Sequence, residues 1–141
     1  VYTRKSDQLN IDITVCSHAT PLLVPMIEEG FFNNQISHEI IAQYLDDPAL
    51  DGIEALILGC THYPLIKAEI NAHYNGRIPI LDSSETVAAA LKSYLENEDL
   101  ISNASGPDHH FLVSDFTESF EASARMFFHQ QVNLEKHPLW D

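Results

Sequence analysis

The feature that most constrains the fold is a nearly unbroken apolar run over residues 53–58, which ends in Gly59 and is followed by Pro64. A run of this length is typical of a strand, and a strand without polar alternation is buried on both faces, as in a parallel sheet covered by helices. Gly59 ends the run, and proline is well tolerated in the first turn of a helix. The pattern therefore predicts a strand, a loop and a helix in succession.

Short strand-like runs alternate with longer amphipathic stretches along the whole chain. Strands are predicted over residues 11–16, 53–58, 77–81 and 111–113, and helices over residues 22–29, 37–47, 64–74, 83–97 and 117–128. Residues 83–85 are expected to cap the fourth of these helices, and residues 97–110 form a turn-rich connection. This alternation favours an α/β fold with a mostly parallel sheet flanked by helices.

Charge and cysteine content limit the partners and the compartment. The chain has 141 residues, with 7 Lys and Arg against 21 Asp and Glu, and a formal net charge of −14. This balance argues against nucleic acid or an anionic membrane as the main partner, because little in the chain can neutralise phosphates. Two cysteines are too few for a disulfide scaffold and indicate a reducing, cytoplasmic compartment. The chain starts at Val1 rather than Met, which suggests a piece of a longer protein.

The loop between residue 58 and Pro64 is the strongest candidate site. In parallel sheets, ligands gather at the carboxyl ends of strands, where loops lead into helix N-termini. Cys60 lies at this point and is followed by Thr61 and His62. The dipole of the following helix, together with the hydroxyl and imidazole donors, is expected to stabilise a thiolate. The same pattern is compatible with a buried structural cysteine in a tight turn.

Three segments resemble the glutamate racemase family. Residues 59–65 read Gly-Cys-Thr-His-Tyr-Pro-Leu and resemble the signature around the second catalytic cysteine of that family. Residues 21–30 read Pro-Leu-Leu-Val-Pro-Met-Ile-Glu-Glu-Gly and are similar to a second family segment, and residues 80–83 resemble the strand end that follows. Thr20 stands where the family usually has a cysteine that is not used in catalysis. The resemblance covers most of the chain.

The resemblance implies a division of the chain and an incomplete site. Residues 1–83 correspond to the α/β lobe that carries the second catalytic cysteine of a two-lobed racemase fold. Residues 84–141 correspond to the segment that returns to pack on the first lobe. The Asp-Ser-Gly loop and the Cys-Asn-Thr segment of the family's first half do not occur in the chain. We therefore expect the chain to carry half of an active site and to be inactive alone.

The resemblance also implies an activity and a role for each site residue. Glutamate racemases interconvert L- and D-glutamate without a cofactor by proton transfer between two thiols on opposite faces of Cα, and they supply D-glutamate for peptidoglycan. Cys60 is then one acid/base, Thr61 binds the substrate, and His62 assists Cys60 and contacts the substrate. Glu28 is a supporting carboxylate that binds the substrate ammonium or orients His62, with Glu29 as the alternative match. A homodimer is expected.

Other interpretations remain open at the level of the sequence. They include a related racemase that acts on aspartate or a hydantoin, and a non-catalytic α/β module that binds an amino acid or a partner protein. Aspartate racemases typically have Glu after the Cys-Thr pair, so His62 favours glutamate. Cys60, His62, Asp82 and His109-His110 lack the usual spacing of zinc ligands, and no metal is expected. Cys16 is expected to be a packed thiol, and His109-His110 a solvated turn.

Overall fold

The computed structural model describes residues 2–102, 106, 109–115, 118–128 and 131–139. In this part of the chain the elements are α1 (Tyr2–Leu9), α2 (Leu23–Glu28), α3 (Gln35–Leu45), β1 (Leu56–Leu58), α4 (Lys67–His73), β2 (Ile80–Asp82), α5 (Ser83–Asn97), β3 (Phe111–Val113), α6 (Glu118–Phe128) and β4 (Leu134–Lys136). Short 3-10 turns cover Pro48–Leu50 and Tyr63–Ile66.

The chain divides into two compact units, Val1–Leu81 and Asp82–Asp141, two residues before the boundary predicted from the sequence. Among the described residues, β1 pairs with β2 in one sheet and β3 pairs with β4 in another. Strands β3 and β4 are parallel, with Phe111 opposite Leu134. Helices combined with parallel strands confirm the predicted α/β class, although the strands form two small sheets.

Three helices of the first unit enclose its hydrophobic core. Ile27 of α2, Ile41 of α3 and Ile70 of α4 are almost inaccessible to solvent, and Ile66, just before α4, is fully buried. Burial of one such side chain contributes about 1.5–3 kcal/mol to stability. Because Ile66 follows the Cys60 loop directly, core packing anchors the end of that loop.

A buried carboxylate connects α4 to the start of α3. Glu69 accepts hydrogen bonds from the backbone N–H of Asn33 at 3.0 Å and from the hydroxyl of Ser37 at 2.5 Å. These donors both reach Oε1 and offset part of the cost of removing the carboxylate from water. Asn34 and Ser37 also form a reciprocal capping box, so α3 begins at Gln35 rather than near Ser37 as predicted. Asn34 is the cap, and Ser37 is the third residue of the helix.

Several predicted elements form close to their expected positions. Helix α2 forms within the predicted range 22–29 and is followed by Gly30, whose φ of 75° stops the helix. The strand predicted over residues 111–113 is β3, and the helix predicted over residues 117–128 is described from Glu118 onward, so its predicted first residue lies outside the described residues. The described residues of the turn-rich connection after α5 form no helix or strand. Residues 103–105, 107 and 108 of this connection lie outside the described residues.

The strand predicted over residues 11–16 is wrong. These residues form no ladder, and their backbone donors bond locally, with Ile11 N–H reaching Ser6 O at 3.2 Å and Ile13 N–H reaching Ile11 O at 3.0 Å. Ile11 and Ile13 are exposed. Alternation predicts a strand only where a partner strand and a covering layer are available, and neither is present here among the described residues. Helix α1 and strand β4 were not predicted.

Helix α5 departs from both its predicted cap and the burial expected of an amphipathic helix. The Asp82 side chain is the cap and accepts the N–H of Glu85 at 3.0 Å, whereas residues 83–85 lie in the first turn. The helix has no buried residue. Its apolar residues Val87, Leu91 and Tyr94 are 62%, 54% and 58% exposed and share one face at i, i+4 and i+7 spacing.

Candidate active site

The Cys60 loop leaves β1 as a tight turn whose conformation follows from its sequence. Strand β1 ends at Leu58, and the backbone N–H of Tyr63 donates to Cys60 O at 3.3 Å. Pro64 then occupies the second position of the 3-10 turn Tyr63–Ile66, where its missing N–H is not needed. Cys60 is half-buried, so its thiol is neither enclosed in the core nor fully in water.

The imidazole of His62 contacts the three other candidate residues of the site. Its Nδ1 lies 3.8 Å from Cys60 Sγ and 3.4 Å from Thr61 Oγ1, and its Nε2 lies 3.1 Å from Oε1 of Glu28. The His62 side chain is 30% exposed and that of Glu28 is 57% exposed. The fold therefore brings together all four residues singled out from the sequence. The carboxylate that contacts His62 is that of Glu28, while the neighbouring Glu29 is exposed.

This arrangement defines what the imidazole can do. In the tautomer whose proton is on Nε2, that N–H donates a hydrogen bond to the Glu28 carboxylate. The lone pair of Nδ1 is then free and faces Cys60. In that tautomer Nδ1 can take the thiol proton and return it, and Glu28 stabilises the imidazolium that forms. The geometry is that of a nucleophile or acid/base oriented by a histidine, which is itself oriented by a carboxylate.

Two tyrosine hydroxyls hold the segment that precedes α2, and neither contact was predicted from the sequence. The hydroxyl of Tyr63 lies 2.6 Å from Oγ1 of Thr20, and that of Tyr44 accepts the backbone N–H of Leu22 at 3.1 Å. Thr20 and Leu22 precede α2, the helix that carries Glu28. Tyr63 belongs to the motif itself, so the sequence signal was present. Its partner is distant in the sequence and could not be deduced from it.

Two further residues singled out from the sequence, Cys16 and His110, are not among the residues described in contact with His62. Cys16 is exposed, so its prediction as a packed thiol is wrong, because the strand that would have buried it does not form. His110 is exposed and lies 3.2 Å from the carboxylate of Glu135. Among the described residues, no group of three or more His, Cys, Asp or Glu side chains could hold a metal ion. No helix in the described ranges has the length and apolarity needed to cross a membrane.

Tyr74 is a buried tyrosine outside the site. Burial raises the pKa of Tyr74, and the negative charge of Asp46 raises it further. Asp46 also lies 3.2 Å from Nε2 of His73, whose ring meets that of Tyr74 edge to face. Both effects favour the neutral phenol of Tyr74 over the phenolate.

In comparison with known proteins, the chain is similar to glutamate racemases. It is 35% identical over 127 residues to a glutamate racemase of Neisseria meningitidis, covering 89% of this chain and 47% of the relative. It is 38% identical over 125 residues to a glutamate racemase of Persephonella marina, covering 89% of this chain and 46% of the relative. The chain thus spans about half the length of the curated relatives it matches. No protein-family model matches it.

Solved structures give the same result at the level of the fold. The crystal structure of glutamate racemase from Francisella tularensis in complex with D-glutamate matches with a TM-score of 0.82 and 33% identity, over 96% of this chain and 51% of that one. A glutamate racemase isoform from Bacillus anthracis matches with a TM-score of 0.84 and 28% identity, over 98% of this chain and 52% of that one.

Proposed function

Because this chain is homologous to glutamate racemases over about half of their length, we propose that it supplies one half of the active site of an enzyme that interconverts L- and D-glutamate. The observation that carries the proposal is the Cys60–His62–Glu28 relay, in which a half-buried thiol faces an imidazole held by a carboxylate. The complete enzyme is the protein encoded by the full reading frame that contains this chain.

Racemisation requires a proton to leave one face of Cα and another to arrive on the opposite face. In the proposed mechanism the Cys60 thiolate removes the Cα proton of one enantiomer, and an acid from the other half of the enzyme protonates the opposite face. In the reverse direction Cys60 is the thiol that donates. His62 holds the proton that Cys60 must lose, and Glu28 orients His62. No cofactor takes part in this proposal.

Substrate binding must come from local donors rather than from long-range attraction. Glutamate carries two carboxylates, and a chain of net charge −14 repels anions at a distance. Thr61 is exposed beside Cys60, and its hydroxyl is the proposed donor to a substrate carboxylate. His62 is the second proposed contact, because its ring is partly open to solvent.

Residues 84–141 are proposed to pack on the half of the complete enzyme that corresponds to the rest of the relatives' length. Two observations support this: the matched relatives are about twice as long as this chain, and α5 presents an apolar face without a buried residue. A helix with one apolar face normally buries that face against another element. The chain alone is then an incomplete enzyme.

The cellular role follows from the proposed reaction. The enzyme would supply D-glutamate for peptidoglycan in the cytoplasm and act as a homodimer. Its ligands are L- and D-glutamate, and neither nucleic acid nor membrane is a proposed partner, in keeping with the acidic charge.

The proposal is tested by circular dichroism of the complete enzyme incubated separately with L-glutamate, D-glutamate, L-aspartate and D-aspartate. We expect the signal of either glutamate enantiomer to decay to zero, while both aspartate signals persist. Decay of the aspartate signals alone would reassign the substrate. Binding of an amino acid without decay of any signal would reassign the chain to a non-catalytic module.

A further inference from the structure

Helix α2 is tied to the Cys60 loop at both of its ends. At its C-terminal end, Glu28 contacts His62 at 3.1 Å. Just before its N-terminal end, Oγ1 of Thr20 lies 2.6 Å from the hydroxyl of Tyr63, and the Tyr63 hydroxyl also lies 3.5 Å from Thr20 O. We call the Thr20–Tyr63 contact the hydroxyl clamp. Only the first of these two ties involves a residue with a chemical role in the proposed reaction.

The position of α2 depends on contacts outside the helix itself. The helix has six residues, and its cap Leu22 makes no side-chain capping bond. Helices this short are not stable on their own, so neighbouring contacts decide where they lie. Thr20 makes two such contacts, because its carbonyl accepts the N–H of Leu23 at 3.1 Å and its hydroxyl pairs with Tyr63.

On the loop side, Tyr63 is held at both of its ends. Its backbone N–H donates to Cys60 O at 3.3 Å, and its hydroxyl pairs with Thr20. Tyr63 directly follows His62, so a displacement of its ring changes the backbone that carries the imidazole. The Glu28 side chain is more than half exposed and gains little positional restraint from its own packing. The clamp is therefore well placed to maintain the distance between Glu28 and His62.

We propose that Thr20 and Tyr63 are positioning residues that hold the Cys60–His62–Glu28 relay in register, an inference that rests on the proposed function. Neither residue takes or gives a proton in the reaction.

The test uses the complete enzyme with Thr20→Val, Tyr63→Phe and the double variant, which remove the hydroxyls and little else. The first measurement is the rate at which iodoacetamide alkylates Cys60, followed on the Cys60 peptide by mass spectrometry across pH 6–9. The second measurement is kcat and KM for each glutamate enantiomer. Loss of one hydrogen bond is expected to lower the alkylation rate and kcat by about 5-fold, with KM nearly unchanged.

The double variant should be no worse than Tyr63→Phe, because each of the three variants removes the bond between Thr20 Oγ1 and the Tyr63 hydroxyl, and Tyr63→Phe also removes the 3.5 Å contact with Thr20 O. Thr20→Ser retains the hydroxyl and should restore wild-type values. The matched control is Tyr44→Phe, which removes the bond to Leu22 N at the same end of α2 without touching the Cys60 loop. We expect this control to leave Cys60 alkylation and kcat within about 2-fold of wild type.

The outcomes separate this inference from the proposed function. Clamp variants that lower Tm as Tyr44→Phe does, with unchanged alkylation and kcat, would show a purely structural pair and overturn the inference. Slower alkylation in an enzyme that does not racemise glutamate would support the positioning role and refute the proposed function. Additive losses in the double variant would also overturn the inference, because the two hydroxyls would then act independently.

Discussion

Helices α2, α3 and α4 of the first unit bury apolar side chains, whereas helix α5 of the second unit leaves its apolar side chains exposed. In the first unit, α2, α3 and α4 bury isoleucines against one another, and Ile27 and Ile66 are fully inaccessible. In the second unit, α5 is the longest helix among the described residues, yet it buries none of its side chains. Both sets of helices have an amphipathic pattern, but among the described residues α2, α3 and α4 bury one face and α5 does not. The amphipathic pattern of a helix therefore predicts which of its faces can be buried, but burial also requires a second surface that packs on that face.

The comparison has a functional counterpart. The relay residues Cys60, His62 and Glu28 all lie in the first unit, which has its own core. The proposed role of the second unit is to join the other half of the complete enzyme. The first unit then carries chemistry and the second carries assembly, and the following experiments test this division.

The largest expected effect is complete loss of racemisation by the chain of 141 residues on its own. A properly placed acid or base commonly contributes about 10²–10⁴-fold, and loss of the opposing half removes substrate positioning as well. The measurement is circular dichroism of L-glutamate with the purified chain, beside its Cys60→Ser variant. We also expect self-association by analytical ultracentrifugation, because α5 leaves its apolar face uncovered. Racemisation that disappears in the variant would show that this chain forms a complete site.

Next in size is the effect of Cys60→Ser in the complete enzyme, where we expect racemisation to fall by about 10²–10⁴-fold. Elimination from an analogue with a leaving group on Cβ should survive for one enantiomer, because the opposite acid/base still reaches its own face. Cys16→Ser is the matched control, and its exposed thiol lies outside the relay. Equal losses for both enantiomers would assign Cys60 to folding or binding instead.

Stability measurements compare the two units directly. Ile27→Ala removes a fully buried side chain and should lower the free energy of unfolding by about 2–5 kcal/mol. Leu91→Ala on the exposed face of α5 should change it by less than about 0.5 kcal/mol in the chain alone. In the complete enzyme the Leu91→Ala cost should rise to that of a buried leucine. Urea unfolding measures both, and an equally small Leu91→Ala cost in the complete enzyme would argue that α5 stays uncovered.

The smallest expected effect distinguishes two adjacent carboxylates. Glu28→Gln removes the negative charge that faces Nε2 of His62. We expect kcat to fall about 10-fold, because that is the size of effect expected from losing a charge-assisted hydrogen bond. Glu29→Gln is the matched control and should leave kcat unchanged, because Glu29 is exposed and makes no described contact with His62. If the two variants are indistinguishable, Glu28 does not orient the imidazole.

Local chemistry made much of this molecule predictable from its sequence. The end of α2 at Gly30, the turn at Gly59 and Pro64, and the strand Phe111–Val113 all depend on neighbours within a few residues. The cap of α5 was misplaced by one residue, because Asp82 and Ser83 are both good caps and only the strand geometry before Asp82 selects between them.

The sequence by itself determined the α/β class and the loop that presents Cys60, because Gly, Pro and short apolar runs fix the conformation of the residues next to them. The resemblance to glutamate racemases also follows from the sequence alone. Only the tertiary structure decided that Glu28 rather than Glu29 faces His62, that Thr20 pairs with Tyr63, and that residues 11–16 form no strand. Contacts between distant residues depend on how elements pack, and a strand exists only when a partner supplies its hydrogen bonds. That information resides in the arrangement of the whole chain.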